Sequence, residues 1–87
     1  MAKYKIEVKK SAAKEIASLP SQVIPKILAK IGSLSDDPHP VDCVKLSGDE
    51  MYRIRCGDYR ILYSIENDIL VVYVVKVGHR RDVYRQK

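Results

Sequence analysis

The run ILVVYVVKV, residues 69–77, limits the fold more than any other stretch of the chain: apart from Lys76 it is apolar on both faces of a strand. It is far shorter than the roughly 18–20 apolar residues that cross a bilayer as a helix. A strand apolar on both sides needs cover on both sides, so it is expected near the middle of a sheet. The chain has 87 residues, and a chain this short buries only about 60–65% of its unfolded surface, enough for one modest core. A single domain over residues 1–87 is therefore expected. The apolar fraction of 46% argues against intrinsic disorder. The opening MAKYKIEVKK has no apolar signal core, which predicts a cytoplasmic protein with no membrane partner.

KYKIEVK (residues 3–9) alternates polar and apolar and reads as a half-buried strand. Ser11 is placed to cap a short helix over Ala12–Ser18, which stops near Leu19-Pro20. Ser21 is placed to cap a second helix. Its residues Ile24, Ile27, Leu28, Ile31 and Leu34 form one apolar stripe, with Pro25 in the first turn. Asp36-Asp37-Pro38-His39-Pro40 ends that helix in a loop, where His39 is expected to be structural. From Val44 the period becomes two. VKL, MYRIRC, YRILYSIE and ILVVYVVKV read as strands, with turns at Ser47-Gly48-Asp49, Gly57-Asp58 and Asn67-Asp68. The expected fold is α+β: an N-terminal strand, two helices, then three to four strands. The sheet is small and mostly antiparallel, with the helices packed on one face.

Cys43 and Cys56 have no CxxC spacing and no histidine cluster, and are read as reduced, packed thiols. The net charge of +5 favours an acidic partner, and its distribution is informative. Lysines dominate the first half, whereas all six arginines (Arg53, Arg55, Arg60, Arg80, Arg81 and Arg85) lie beyond residue 52. Guanidinium is a planar fork of donors that fits phosphate oxygens in pairs. Alternation puts Arg53 and Arg55 on one face of their strand. If Gly57-Asp58 is a two-residue turn, Arg55 lies opposite Arg60. Like charges in that position cost a sheet some tenths of a kcal/mol. A bound polyanion would turn that cost into attraction. A one-residue slip in the hairpin would scatter the set.

After Gly78 the chain reads HRRDVYRQK, so His79, Arg80 and Tyr84 follow the apolar strand within six residues. If the ligand is RNA, the natural reaction is attack of a 2′-hydroxyl on its own phosphate. That requires a proton acceptor, cations around the crowded phosphate and a proton donor for the leaving oxygen. No metal or other cofactor is expected, since no carboxylate cluster or histidine pair is there to hold one. Arginine stays protonated and cannot be the base. The proton-transfer candidates are His79, Tyr84 and the strand tyrosines Tyr52, Tyr59, Tyr63 and Tyr73. Histidine titrates near 6.5 unaided, and a tyrosine among guanidiniums is pulled down from about 10. The four strand tyrosines are expected to be core or sheet-surface aromatics.

KL-x-G, then YRIRCGDYRILY, then VGHRRDVYR together resemble the RelE-like toxins of the RelE/ParE toxin–antitoxin superfamily, over essentially the whole chain. The resemblance implies a ribosome-dependent mRNA endoribonuclease that cuts in the A site and leaves a cyclic phosphate and a 5′-hydroxyl. It implies phosphate-binding or catalytic roles for Arg53, Arg55, Arg60, Arg80 and Tyr84; Arg81, in the basic tail, is expected as a further phosphate contact. In well-studied members of the family, lysines stand at the positions of Arg53, Arg55 and His79. Any proton transfer carried by those lysines must therefore move to Tyr84 or His79. The implied partners are the ribosome, mRNA and an acidic RelB-like antitoxin in a hetero-oligomer. Two other readings compete: a ParE-like toxin that poisons DNA gyrase, and a non-catalytic RNA-binding module using the same arginines.

Overall fold

The computed structural model describes residues 3–46 and 51–79. The expected Ser47-Gly48-Asp49 turn and the tail from Arg80 onward lie outside the described residues. The elements are β1 (Lys5–Val8), α1 (Lys10–Ala17), α2 (Ile24–Ser33), β2 (Val44–Lys45), β3 (Met51–Cys56), β4 (Tyr59–Glu66) and β5 (Val71–His79). They form one five-stranded sheet in the order β1-β5-β4-β3-β2. The doubly apolar strand β5 is interior, as its composition requires. It pairs in parallel with β1 and antiparallel with β4, and the β3–β4 and β2–β3 pairs are also antiparallel. The sheet is thus mostly antiparallel, with one parallel pair.

One face of the sheet carries the core. Ile54, Ile61, Tyr63, Ile65, Val72, Val74 and Val77 are buried there against Ala12 and Ile16 of α1 and Ile27, Ile31 and Leu34 of α2. Each such aliphatic side chain contributes about 1.5–3 kcal/mol when removed from water. Both helices therefore cover the same face.

Local differences from the sequence expectation have physical causes. The first helix starts at Lys10 with Lys9 as N-cap and no side-chain cap. Lys9 N–H still donates to Val74 O at 2.9 Å, so sheet pairing sets this junction and Ser11 sits inside the first turn. Ser21 is not a cap either. A turn closed by Val23 N–H donating to Pro20 O (2.8 Å) precedes the second helix, and Val23 is its N-cap. Leu28 is 52% exposed, because the stripe that meets the core is Ile24, Ile27, Ile31 and Leu34. Gly57-Asp58 is the expected two-residue turn, with Gly57 at φ +62°. Asn67-Asp68 is not a two-residue turn. β4 ends at Glu66, which pairs with Val71, so Asn67 to Leu70 form a four-residue loop, and Leu70 adopts φ +54°.

The loop after α2 is fastened across the sheet. The Tyr63 hydroxyl donates to Pro38 O at 2.8 Å, Tyr52 stacks on Tyr63, and His39 meets Tyr52 edge-on at 5.1 Å. Lys30 Nζ donates to Asp42 Oδ2 at 3.0 Å, and that hydrogen bond holds the Asp42 carboxyl below its ordinary range. His39 is structural, as expected. Cys43 and Cys56 are free thiols.

Candidate nucleic-acid interface

The two-residue turn at Gly57 fixes the register that the arginine hypothesis required. Arg55 pairs with Arg60, Ile54 with Ile61 and Arg53 with Leu62. Ile54 and Ile61 are fully buried on the helix side, so by alternation Arg53, Arg55 and Arg60 share the opposite face. Arg55 is exposed, and Arg53 and Arg60 are half-buried. On the other side of Arg60 stands Gly78, so the row Arg55–Arg60–Gly78 carries two guanidiniums and then a position without a side chain. That geometry suits a phosphate: two planar donors set across one strand gap, with a glycine in the third position of the row.

β5 continues through Gly78, where the strand was expected to end, and finishes at His79. His79 is not brought to the arginines. It pairs with Tyr59, the two rings meet edge-on at 5.6 Å, and Tyr59 packs against the core. The imidazole thus lies on the helix face, with the sheet between it and the guanidiniums. Tyr52 and Tyr63 are on that face too. Burial first, with the neighbouring Cys43 next, pushes the Tyr63 hydroxyl well above its ordinary range, the reverse of what a base needs. Tyr73 is on the arginine side but pairs with Ser64, four residues along β4 from Arg60, or about 13 Å. Arg80, Arg81 and Tyr84 lie outside the described residues.

Two features escaped the sequence reading. A β-bulge interrupts β5: Tyr63 pairs with Val74 but Leu62 pairs with Lys76, leaving Val75 as the extra residue. Beside it, Glu15 of α1 accepts hydrogen bonds from Val77 N–H (2.9 Å) and Lys76 Nζ (2.8 Å). Glu15 edges a cleft of about 370 Å³ that Tyr59 and His79 also line. The legible sign was an acid at the i+3 position of a stripe running Ala12, Ile16, Leu19. Among the described residues no group of three His, Cys, Asp or Glu side chains comes together, and no helix is long and apolar enough to cross a membrane.

Known proteins share this fold. A sequence profile of the ParE toxin of type II toxin–antitoxin systems (parDE) matches residues 6–84. A Methanocaldococcus jannaschii protein named RelE1 is 30% identical, covering 95% of this chain and 97% of that protein. Toxin RelG of Mycobacterium tuberculosis is 29% identical, covering 95% and 98%. Among solved structures, the archaeal RelE–RelB complex of Pyrococcus horikoshii OT3 aligns with a TM-score of 0.80 at 30% identity, over 95% of this chain and 98% of that one. The isolated Escherichia coli RelE toxin aligns with a TM-score of 0.77 at 28% identity, over 87% and 83%. A small basic toxin fold, two helices on one face of a five-stranded sheet, is the class these features define. The chain belongs to the RelE/ParE superfamily of type II toxins, as a RelE-like member.

Proposed function

We propose that this RelE-like toxin is an mRNA endoribonuclease that acts on ribosome-bound message in the A site and so arrests translation. The observation that carries the reading is the row Arg55–Arg60–Gly78 with Arg53 on the same face. Like charges directly across a ladder are a cost that a phosphate ligand reverses. The 2′-hydroxyl of the bound nucleotide attacks its 3′-phosphorus as the bond to the 5′-oxygen of the next nucleotide breaks. The products are a 2′,3′-cyclic phosphate and a 5′-hydroxyl. Arg53, Arg55 and Arg60 neutralise the oxygens of the crowded phosphate, with Arg80 and Arg81 as further phosphate contacts. The proton of the 2′-hydroxyl goes to Tyr84 acting as its phenolate, and the leaving 5′-oxygen takes a proton from water. His79 is the weaker candidate, because its ring packs on Tyr59 on the opposite face.

The partner that silences the toxin is an acidic RelB-like antitoxin. The +5 charge of the chain and its likeness to toxins solved with RelB support this assignment. The match to the ParE profile favours one competitor, a gyrase poison on the same fold. Expression without antitoxin separates the two. The ribonuclease reading expects translation to stop, with new mRNA 5′ ends inside ribosome-bound codons. Intact mRNA with altered DNA supercoiling would instead identify gyrase as the target.

A further inference from the structure

β1 shields the outer edge of β5 only as far as Val74, where Lys9 N–H takes the last carbonyl. Beyond that point the chain of β1 has turned into α1, and among the described residues the remaining rows of β5, including Gly78, have only β4 as a neighbouring strand. An uncovered edge N–H is a place where a strand frays. Glu15 is the group that covers it: Oε1 takes Val77 N–H and Oε2 takes the ammonium of Lys76, the residue just past the bulge. The next residue, Gly78, completes the row Arg55–Arg60–Gly78. That row stands one step from the end of the ladder and carries the Arg55–Arg60 pair.

We propose that Glu15 is a positioning residue for RNA cleavage: by clamping Val77 and Lys76 from the helix face, it holds the β5 end against β4. The spacing of the arginine row depends on that clamp. Glu15 touches no substrate and acts through the strand. The role rests on the ribonuclease reading, and it adds a residue on the far side of the sheet from the arginines. A bulge usually weakens pairing and increases local twist, so a carboxylate at the bulge is well placed to fix a geometry the ladder alone would leave loose. A displacement of about 1 Å at reacting atoms costs on the order of 10²-fold in rate.

The test compares wild type, Glu15→Gln and Glu15→Ala in single-turnover cleavage of mRNA on purified ribosomes, with amide hydrogen exchange on the same proteins. Glu15→Ala is expected to lower the cleavage rate constant about 10- to 100-fold with half-saturating ribosome concentration unchanged. Exchange should accelerate at Val77, Gly78 and His79, while Val72 and Val74 stay protected. Glu15→Gln keeps an oxygen for Val77 N–H and should recover most of the rate. The role is overturned if Glu15→Ala cleaves at the wild-type rate, if Glu15→Gln is as slow as Glu15→Ala, or if Val72 and Val74 lose protection in step with Val77, which would mean a general loss of stability. Wild-type protein that leaves ribosome-bound mRNA uncut would instead refute the ribonuclease reading, and the role of Glu15 with it.

Discussion

Replacing Arg55 with threonine should make the protein more stable and less active at once. Arg55 is exposed and pairs directly with Arg60, whose guanidinium lies on the same face, so removing one charge relieves a cross-strand repulsion. Threonine is also at home in a strand. Relief of a like-charge pair is worth about 0.2–1 kcal/mol. The exposure of Arg55 puts the expected gain near the low end, because solvent and salt screen the pair. The assay is urea unfolding of the antitoxin-free toxin at about 0.02 M and about 1 M salt, where the screening length falls from tens of ångströms to about 3 Å. Arg55→Thr should be more stable than wild type by some tenths of a kcal/mol at low salt, and the difference should shrink at high salt. Added inorganic polyphosphate should raise the Tm of wild type more than that of the variant, since a ligand stabilises in proportion to its preference for the folded state. Most substitutions destabilise, so the sign is a stringent test. If Arg55→Thr is less stable at low salt, or its difference from wild type ignores salt, the pair is not repulsive. The central inference about a phosphate site then fails.

Tyr84→Phe and Arg60→Ala should each slow cleavage by roughly two to three orders of magnitude with the fold intact by circular dichroism. His79→Ala should be mild, and a severe His79→Ala beside a mild Tyr84→Phe would reverse the assignment of the base. Tyr63→Phe should cost about 1–3 kcal/mol in urea unfolding, because it strands the buried Pro38 carbonyl that the hydroxyl now satisfies. Burial raises the Tyr63 hydroxyl above its ordinary value of 10.0. The unfolded chain therefore loses this proton first, and stability should fall as pH rises above about 10; Tyr63→Phe should flatten that alkaline limb. Gly57→Val should cost about 1–2 kcal/mol, since Gly57 sits at φ +62° where a branched side chain crowds the backbone.

The arginine face was legible because polar residues mark phase. In MYRIRC and YRILYSIE the alternation is explicit and a glycine fixes the turn, so Arg55 could be set against Arg60 from sequence alone. In β5 the run VVYVV has no phase, because valine satisfies either face. Nothing in it announces that Val75 is the extra residue of a bulge, and the placement of His79 on the helix side was lost with it. The caps at Ser11 and Ser21 failed for a different reason: hydrogen bonds from Lys9 and Val23 to distant or turn carbonyls fixed the helix starts, and propensity does not see them. Asn67 looked like a turn residue and is instead an acceptor for the Tyr4 hydroxyl at 2.9 Å, in a loop four residues long.

The parallel pairing of β1 with β5 has a consequence for how the toxin comes into being. Lys5 meets Val71, so everything from β1 through the start of β5 must be made before the first strand finds its neighbour. The β3–β4 hairpin can form early, but β1 and α1 reach the rest of the sheet mainly through β5. Long-range pairing of this kind is slow to form. The row that would bind phosphate is completed by Gly78, next to the last residue of β5. A nascent copy still lacking β5 is therefore an incomplete sheet without its Arg55–Arg60–Gly78 row, and that row cannot assemble until β5 itself has left the ribosome.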